Sequence, residues 1–188
     1  MLENRVAQVY ISEKAFAKLW SYIRLAPAEI SGLGEVNISQ NGIPFISDLF
    51  LFEQTTSVVR TSLDPIALGK FMAQTLKSGY DRSKLRLWWH SHGWYPTVWS
   101  EKDEETIRFL RKHGYFLSLV GNKLAQYSLR VDYSTGASEQ WLPLIRKPTG
   151  DVNINLQELS REVTEKIKFV PIPVEEVQCQ ITMPDRVI

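Results

Sequence analysis

The sequence predicts a mixed α/β (α+β) domain. Three observations carry that reading. Loose strand-like alternation over Val6 to Ile11 passes at once into helical spacing behind a serine. An Asn-Gly turn, Asn41-Gly42, joins two runs of strand character. Helical and strand-like segments then alternate to give the order β-α-β-β-α-β-α-β-β, which fits neither a helical bundle nor an all-strand sandwich.

The elements follow from local chemistry. Ser12 is the expected N-cap of the first helix, with Glu13 in its first turn. Ala15, Phe16, Leu19, Trp20 and Ile23 recur at helical spacing until Pro27. Glu29 to Ile38 and Ile43 to Phe52 read as the strands of a hairpin. Asp64-Pro65 opens a second helix, with Asp64 as N-cap and Pro65 at the first helical position. Ile66, Phe71, Met72 and Leu76 supply its apolar side, and Gly79 ends it. Leu85 to His92 reads as a strand. Ser100 caps a third helix carrying Ile107, Phe109 and Leu110, which ends at Lys112-His113-Gly114. Tyr115 to Val120 and Ala125 to Val131 are the last strands of the series, with Gly121-Asn122 as their turn.

Past Trp141 the character changes, so the chain divides into a domain over 1–142 and a C-terminal extension over 143–188. Pro143, Pro148 and Gly150 mark a loop, and Leu156, Leu159, Val163 and Ile167 recur at helical spacing. Pro171 and Pro173 then stop the helix before an extended polar tail. A terminal helix docked on the domain is the simpler expectation; a partner-binding appendage is the alternative.

Composition narrows the function classes. The chain has 188 residues, 44% hydrophobic and 23% charged, enough for one domain with a real core. With 22 basic and 21 acidic residues it lacks the basic excess of a nucleic-acid footprint. A single cysteine, Cys179, excludes an intrachain disulfide and a Cys-rich zinc site, and fits a reducing compartment. Neither a secretory signal nor a membrane-spanning run of about 18 to 20 apolar residues is visible. A soluble cytoplasmic protein without membrane or nucleic-acid partners is therefore expected.

The informative stretch is Trp88-Trp89-His90-Ser91-His92-Gly93, followed by Ser100-Glu101-Lys102-Asp103. His90 and His92, two apart on a strand, point to the same side of the sheet and can meet one metal ion. Leu85, Leu87 and Trp89 form the opposite, apolar side. Ser100 and Asp103, three apart at a helix start, share a face. The seven residues Gly93 to Trp99 are long enough to bring that helix end back to the histidines. Three protein ligands with one open position describe a catalytic zinc site, and two imidazoles with a carboxylate suit zinc.

The third of the chain's histidines, His113, stands ten residues beyond Asp103, about 15 Å along a helix axis, and reads as a cation at a helix C-terminus. Asp103 is the economical third ligand, ahead of the distant Cys179. Ser100-x-x-Asp103 alone reads first as a capping box, with Asp in the place of the usual Glu or Gln, and His-x-His alone is weak; the joint spacing makes the case.

That pattern, His-x-His, seven residues, Ser, two residues, Asp, resembles the JAMM signature of the MPN metallo-isopeptidases. The family also carries an upstream glutamate followed by an apolar residue, a small residue and Gly-Leu, which Glu29-Ile30-Ser31-Gly32-Leu33 matches. Glu35 follows the Gly-Leu pair and reads as an ordinary strand residue. The resemblance covers roughly Val6 to Val131. It implies an MPN/cytidine-deaminase-like fold of three layers, a central mixed sheet flanked by helices. It also implies one Zn2+ per chain on His90, His92 and Asp103. Glu29 would carry protons for the zinc-bound water, and Ser100 would assist at the oxyanion.

The implied activity is cleavage of an isopeptide or peptide bond, with a ubiquitin-like protein or peptide as substrate. Where many active members have proline after the second histidine, this chain has Gly93, and it lacks long insertions that recognise linked ubiquitin. Trp94, Tyr95, Pro96 and Trp99 either cover the helix–strand junction or wall a substrate tail. Two other functions compete: a non-enzymatic MPN scaffold that binds partners, and a hydrolase of the same type acting on a small-molecule amide.

Overall fold

The computed structural model describes residues 6–57, 60–63, 65–150 and 154–171. Its elements run β1 (Val9–Ser12), α1 (Glu13–Leu25), β2 (Ser31–Ile38), β3 (Pro44–Leu51), β4 (Gln54–Ser57), β5 (Arg60–Leu63), α2 (Pro65–Lys77), β6 (Leu85–Ser91), α3 (Glu101–Leu110), β7 (Tyr115–Gly121), β8 (Tyr127–Tyr133), β9 (Ser138–Gln140), β10 (Leu144–Lys147), α4 (Leu156–Lys166) and β11 (Ile167–Phe169). The fold is mixed α+β. Eight strands form one mixed sheet in the order β10-β1-β3-β2-β6-β7-β8-β9, and β11-β4-β5 form a second, small sheet.

Alternation along the central strands separates two unequal cores. On one face Leu87, Trp89, Leu117, Leu119, Leu129 and Val131 pack against Leu19, Tyr22 and Ile23 of α1 and Leu159 and Val163 of α4. Tyr22 stacks on Trp89 with ring centroids 5.7 Å apart. Each fully buried large apolar side chain contributes about 1.5–3 kcal/mol, so this face carries most of the stability. The other face has only a small cluster, Trp88, Ile107 and Phe116, with Leu33, Trp99 and Leu110 around it. That lighter load leaves polar side chains room on the α3 side of the same strands.

Gly32 lets the heavy side close. A Cβ there would lie 2.1 Å from the Phe50 carbonyl oxygen and 2.8 Å from the Trp89 ring. β3 outruns β1, and its exposed edge is sealed by side chains: the carbonyls of Ser47, Leu49 and Leu51 accept from Ser12 Oγ (2.9 Å), Lys18 Nζ (2.9 Å) and Lys166 Nζ (2.7 Å). Ser12 also caps α1, accepting from the Ala15 N–H.

Several elements differ from the sequence expectation. The first strand of the hairpin begins at Ser31, so Glu29 precedes it in an irregular stretch; its backbone has left the β3 ladder there. Ala125 lies in the β7–β8 turn at φ 60°, not in β8. β4, β5, β9, β10 and β11 join the expected series; the short polar runs of β4 and β9 lack a hydrophobic alternation that would reveal them.

The change of composition past Trp141 is not a break in the core. β10 pairs in parallel with β1, and Leu159, Val163 and Ile167 belong to the main core. α2 buries little: Phe71 packs on Phe50 and Phe52, while Ile66 and Leu76 are exposed. Phe109 on α3 is exposed as well. The Asp64 cap, Pro173, the tail and Cys179 lie outside the described residues. Among the described residues no helix is long and apolar enough to cross a membrane.

Candidate metal centre

β6 carries His90, and His92 follows one residue past its end rather than within the strand as expected. Its phase sends Leu87 and Trp89 into the main core, so Trp88 and His90 face α3. Ser31 on β2 pairs with His90, and the Ser91 N–H donates to the Ile30 carbonyl at 2.8 Å. Glu29, two residues before Ser31, lies near enough to His92 and Asp103 to interact electrostatically with both. The chain then turns at Gly93, at φ 54°, and returns to Ser100 at the start of α3.

Three groups able to ligate a metal converge there. His90 Nε2 and His92 Nε2 are 3.1 Å apart. His90 Nε2 lies 3.3 Å from Asp103 Oδ1, and His92 Nε2 lies 3.5 Å from Asp103 Oδ2. With one atom taken per residue, all three lie within 4.8 Å of one another. Donors held tetrahedrally at about 2.0–2.1 Å from one ion stand about 3.3–3.4 Å apart, so the spacing and the His-His-Asp donor set fit Zn2+.

The surrounding contacts orient these three side chains. His92 Nδ1 donates to the Pro96 carbonyl at 2.8 Å, which leaves the Nε2 lone pair turned to the site. His90 is buried, stacked on Trp88 at 4.3 Å between centroids and flanked by Trp99 at 5.8 Å. Burial holds the His90 pKa below its ordinary value, despite the Asp103 carboxylate. At His92 burial acts downward too, but hydrogen bonds to Asp103 and to the Pro96 carbonyl outweigh it and the pKa rises.

Asp103 is buried at the third position of α3 in a complete capping box. Its Oδ2 accepts from both the Ser100 N–H and the Ser100 hydroxyl, each at 2.7 Å, and its own N–H donates to Ser100 Oγ at 3.2 Å. Burial pushes its pKa up, yet the two histidines and Ser100 hold it well below the usual carboxylate range. The capping and metal readings of Ser100-x-x-Asp103 are therefore compatible: Oδ2 serves the cap and Oδ1 faces His90. The Ser100 hydroxyl commits its one proton to Asp103.

The first turn of α3 is also tied to the sheet. Arg130, buried on β8, makes a bidentate pair with the fully buried Asp132 (2.7 and 2.6 Å) and reaches Glu104. Its guanidinium lies over the Trp99 ring, 5.6 Å from the centroid.

Glu29 is half-buried beside this centre. Desolvation pushes its pKa up to about 7; His92 pulls it down and Asp103 pushes it up. Glu35, by contrast, is tied to Asn37 and receives the Tyr80 hydroxyl at 2.8 Å. His113 falls in the 3-10 turn Arg111–His113 at the far end of α3. The loop aromatics divide: Trp99 packs on the small cluster, whereas Trp94 and Tyr95 are exposed.

The structure thus brings His90, His92, Asp103, Ser100 and Glu29 together. It adds Ser91, whose Oγ accepts the Ile30 N–H at 3.1 Å, and Gln54 and Thr56, whose side chains bond the backbone at Ser31 and Glu29. The position of Ser91 inside His-x-His could have signalled it; nothing local marks Gln54 or Thr56.

No family model and no curated protein matches the sequence. Among solved structures, the chain is similar to the solution structure of protein DSY2949 from Desulfitobacterium hafniense. The TM-score is 0.54 at 16% identity, over 79% of this chain and 100% of that one, a likeness of fold alone.

Proposed function

We propose that the chain is a zinc-dependent hydrolase of the JAMM/MPN type, with the MPN-like fold, that cleaves an isopeptide or peptide bond in a ubiquitin-like protein or peptide. The observation that carries this reading is the convergence of His90 Nε2, His92 Nε2 and the Asp103 carboxylate at 3.1 to 3.5 Å, beside a carboxyl group poised near neutrality. A bound Zn2+ would supply Lewis acidity and lower the pKa of a water toward about 7.

The protein's own residues account for the rest. Glu29, raised to about 7, is matched to take a proton from the attacking water and to release it to the leaving amine. His92 stays oriented through Pro96, and His90 through its stack on Trp88. An oxyanion role for Ser100 requires its hydroxyl to leave Asp103 Oδ2, where the Ser100 backbone N–H remains as a donor. The scaffold reading is less favoured, because such relatives usually lack one or more ligands and here all three donors face one another.

The test is metal analysis joined to a cleavage assay on ubiquitin-like fusions, peptides and small amides. About one zinc per chain with cleavage of a fusion or peptide is the expected result. Metal-free, inactive protein after preparation with zinc would overturn the reading, and cleavage confined to small amides would move the substrate class.

A further inference from the structure

We propose that Gln54 and Thr56, on a strand of the second sheet, are positioning residues that hold Glu29 at the metal centre. The proposal rests on Glu29 being the proton carrier of the hydrolase reading above.

The reasoning starts from the sheet edge. β2 and β3 pair from Ile38↔Pro44 up to Gly32↔Leu51, and there the β3 partner ends. The residues just before Gly32 have no partner on β3 in the ladder; Ile30 and Ser31 are buried and Glu29 is half-buried, so their backbone groups need other partners. Side chains of β4 take that place. Gln54 is 2% exposed; its Oε1 accepts the Ser31 N–H at 2.8 Å, and its Nε2 donates to the Ser31 carbonyl at 2.9 Å and the Phe52 carbonyl at 3.0 Å. One amide thus reproduces the donor and acceptor pair that a strand would offer. Two residues on, Thr56, 1% exposed, donates its hydroxyl proton to the Glu29 carbonyl.

On the other edge β6 sets His90 against Ser31 and bonds Ile30 through the Ser91 N–H and Oγ. The main chain of Glu29 is therefore anchored through Thr56, and that of Ser31 through Gln54. β4 is itself held from both sides. β5 pairs with it, and β11 sets Ile167 against Gln54 and Phe169 against Thr56, with the Val170 N–H donating to the Thr56 carbonyl at 2.8 Å. A support line runs from the strand after α4, through β4, to Glu29.

The proposed metal ligands also have supports of their own. His90 and His92 come from β6 and the loop after it, and Asp103 from α3, anchored by Ser100 and Arg130. Loss of the β4 contacts should therefore separate proton transfer from metal binding. A misplacement of about 1 Å at a reacting group costs on the order of 100-fold in rate.

The experiment compares wild type, Thr56→Val, Thr56→Ser and Gln54→Met, each loaded with zinc and studied as the full chain. Thr56→Val and Gln54→Met should lower kcat at least about tenfold, with KM and zinc affinity within about twofold of wild type. Thr56→Ser, which keeps the hydroxyl, should restore kcat. Two readouts do not need turnover: at fixed pH the labelled Glu29 carboxyl carbon resonance should move in Thr56→Val and not in Thr56→Ser, and the Ser31 amide should exchange faster in Gln54→Met while core amides of β7 stay protected.

If wild type cleaves nothing, the hydrolase reading fails while these two readouts still report on the anchoring. Unchanged kcat and an unmoved Glu29 resonance in Thr56→Val would overturn the proposal. So would a fall in kcat matched by an equal loss of zinc affinity.

Discussion

Asp103→Asn separates the helix cap that Asp103 makes from the metal ligation proposed for it. The cap needs an acceptor for the Ser100 N–H, which Asp103 Oδ2 provides at 2.7 Å, and an amide oxygen in the same place also provides it. Losing such a cap altogether costs about 0.5–2 kcal/mol, so keeping the acceptor leaves the metal-free fold nearly as stable. What disappears is the negative charge of the oxygen 3.3 Å from His90 Nε2.

The thermal consequence can be worked out. Outer partners of metal ligands are worth about 10–100-fold in affinity, and a direct anionic ligand at least the upper end of that range. At free zinc about 1,000 times the wild-type Kd, binding stabilises the fold by about 4.1 kcal/mol; a 100-fold weaker site retains about 1.4 kcal/mol. For a 188-residue chain each kcal/mol moves Tm by about 2–4 °C. Zinc should therefore raise Tm by about 8–16 °C in wild type and by about 3–6 °C in the variant. Thermal unfolding of zinc-loaded and chelator-treated protein near neutral pH measures both shifts. Equal zinc shifts in the two proteins would show that Asp103 only caps α3, and the absence of a shift in wild type would remove the metal centre itself.

Glu29→Gln should keep zinc and lower hydrolysis about 100- to 10,000-fold, and full activity in zinc-loaded Glu29→Gln would take Glu29 out of the mechanism. In the metal-free protein the raised pKa of Glu29 favours folding fully below its ordinary 4.5 and loses that contribution as pH rises through about 7. Metal-free Glu29→Gln should thus melt above wild type at pH beyond 7, with the gap closing toward 4.5; a gap independent of pH contradicts the buried carboxyl. Activity of the zinc-loaded protein should fall on acidification below neutrality, as Glu29 and the ligating histidines take up protons, so a flat pH–rate profile across that range speaks against the site. Gly32→Ala pushes a Cβ against the Phe50 carbonyl and should cost about 1–3 kcal/mol, seen as a lower Tm; an unchanged Tm would mean the sheet yields there.

The candidate donors His90, His92 and Asp103, with Ser100, were legible from short spacings, whereas Glu29 was singled out only by the family resemblance. Two residues on a strand share a face, three at a helix start share a turn, and a seven-residue loop closes the distance between His92 and Ser100. The helices at Ser12 and Ser100 were legible through their caps. β4, β9, β10 and β11 were not, since strands of three or four residues carry too few alternations to stand out from loops.

The sequence alone determined which side chains could ligate a metal and which strand face would bear them, since rotation per residue is a local property of the backbone. Only the tertiary structure decided that Glu29 lies near His92 and Asp103, that its carboxyl is desolvated, and that Gln54 and Thr56 stand in for an absent strand beside it. Those facts arise from contacts between segments distant in the chain. Where β3 ends and where the strand after α4 docks are set by packing across the whole sheet, and no local spacing records them.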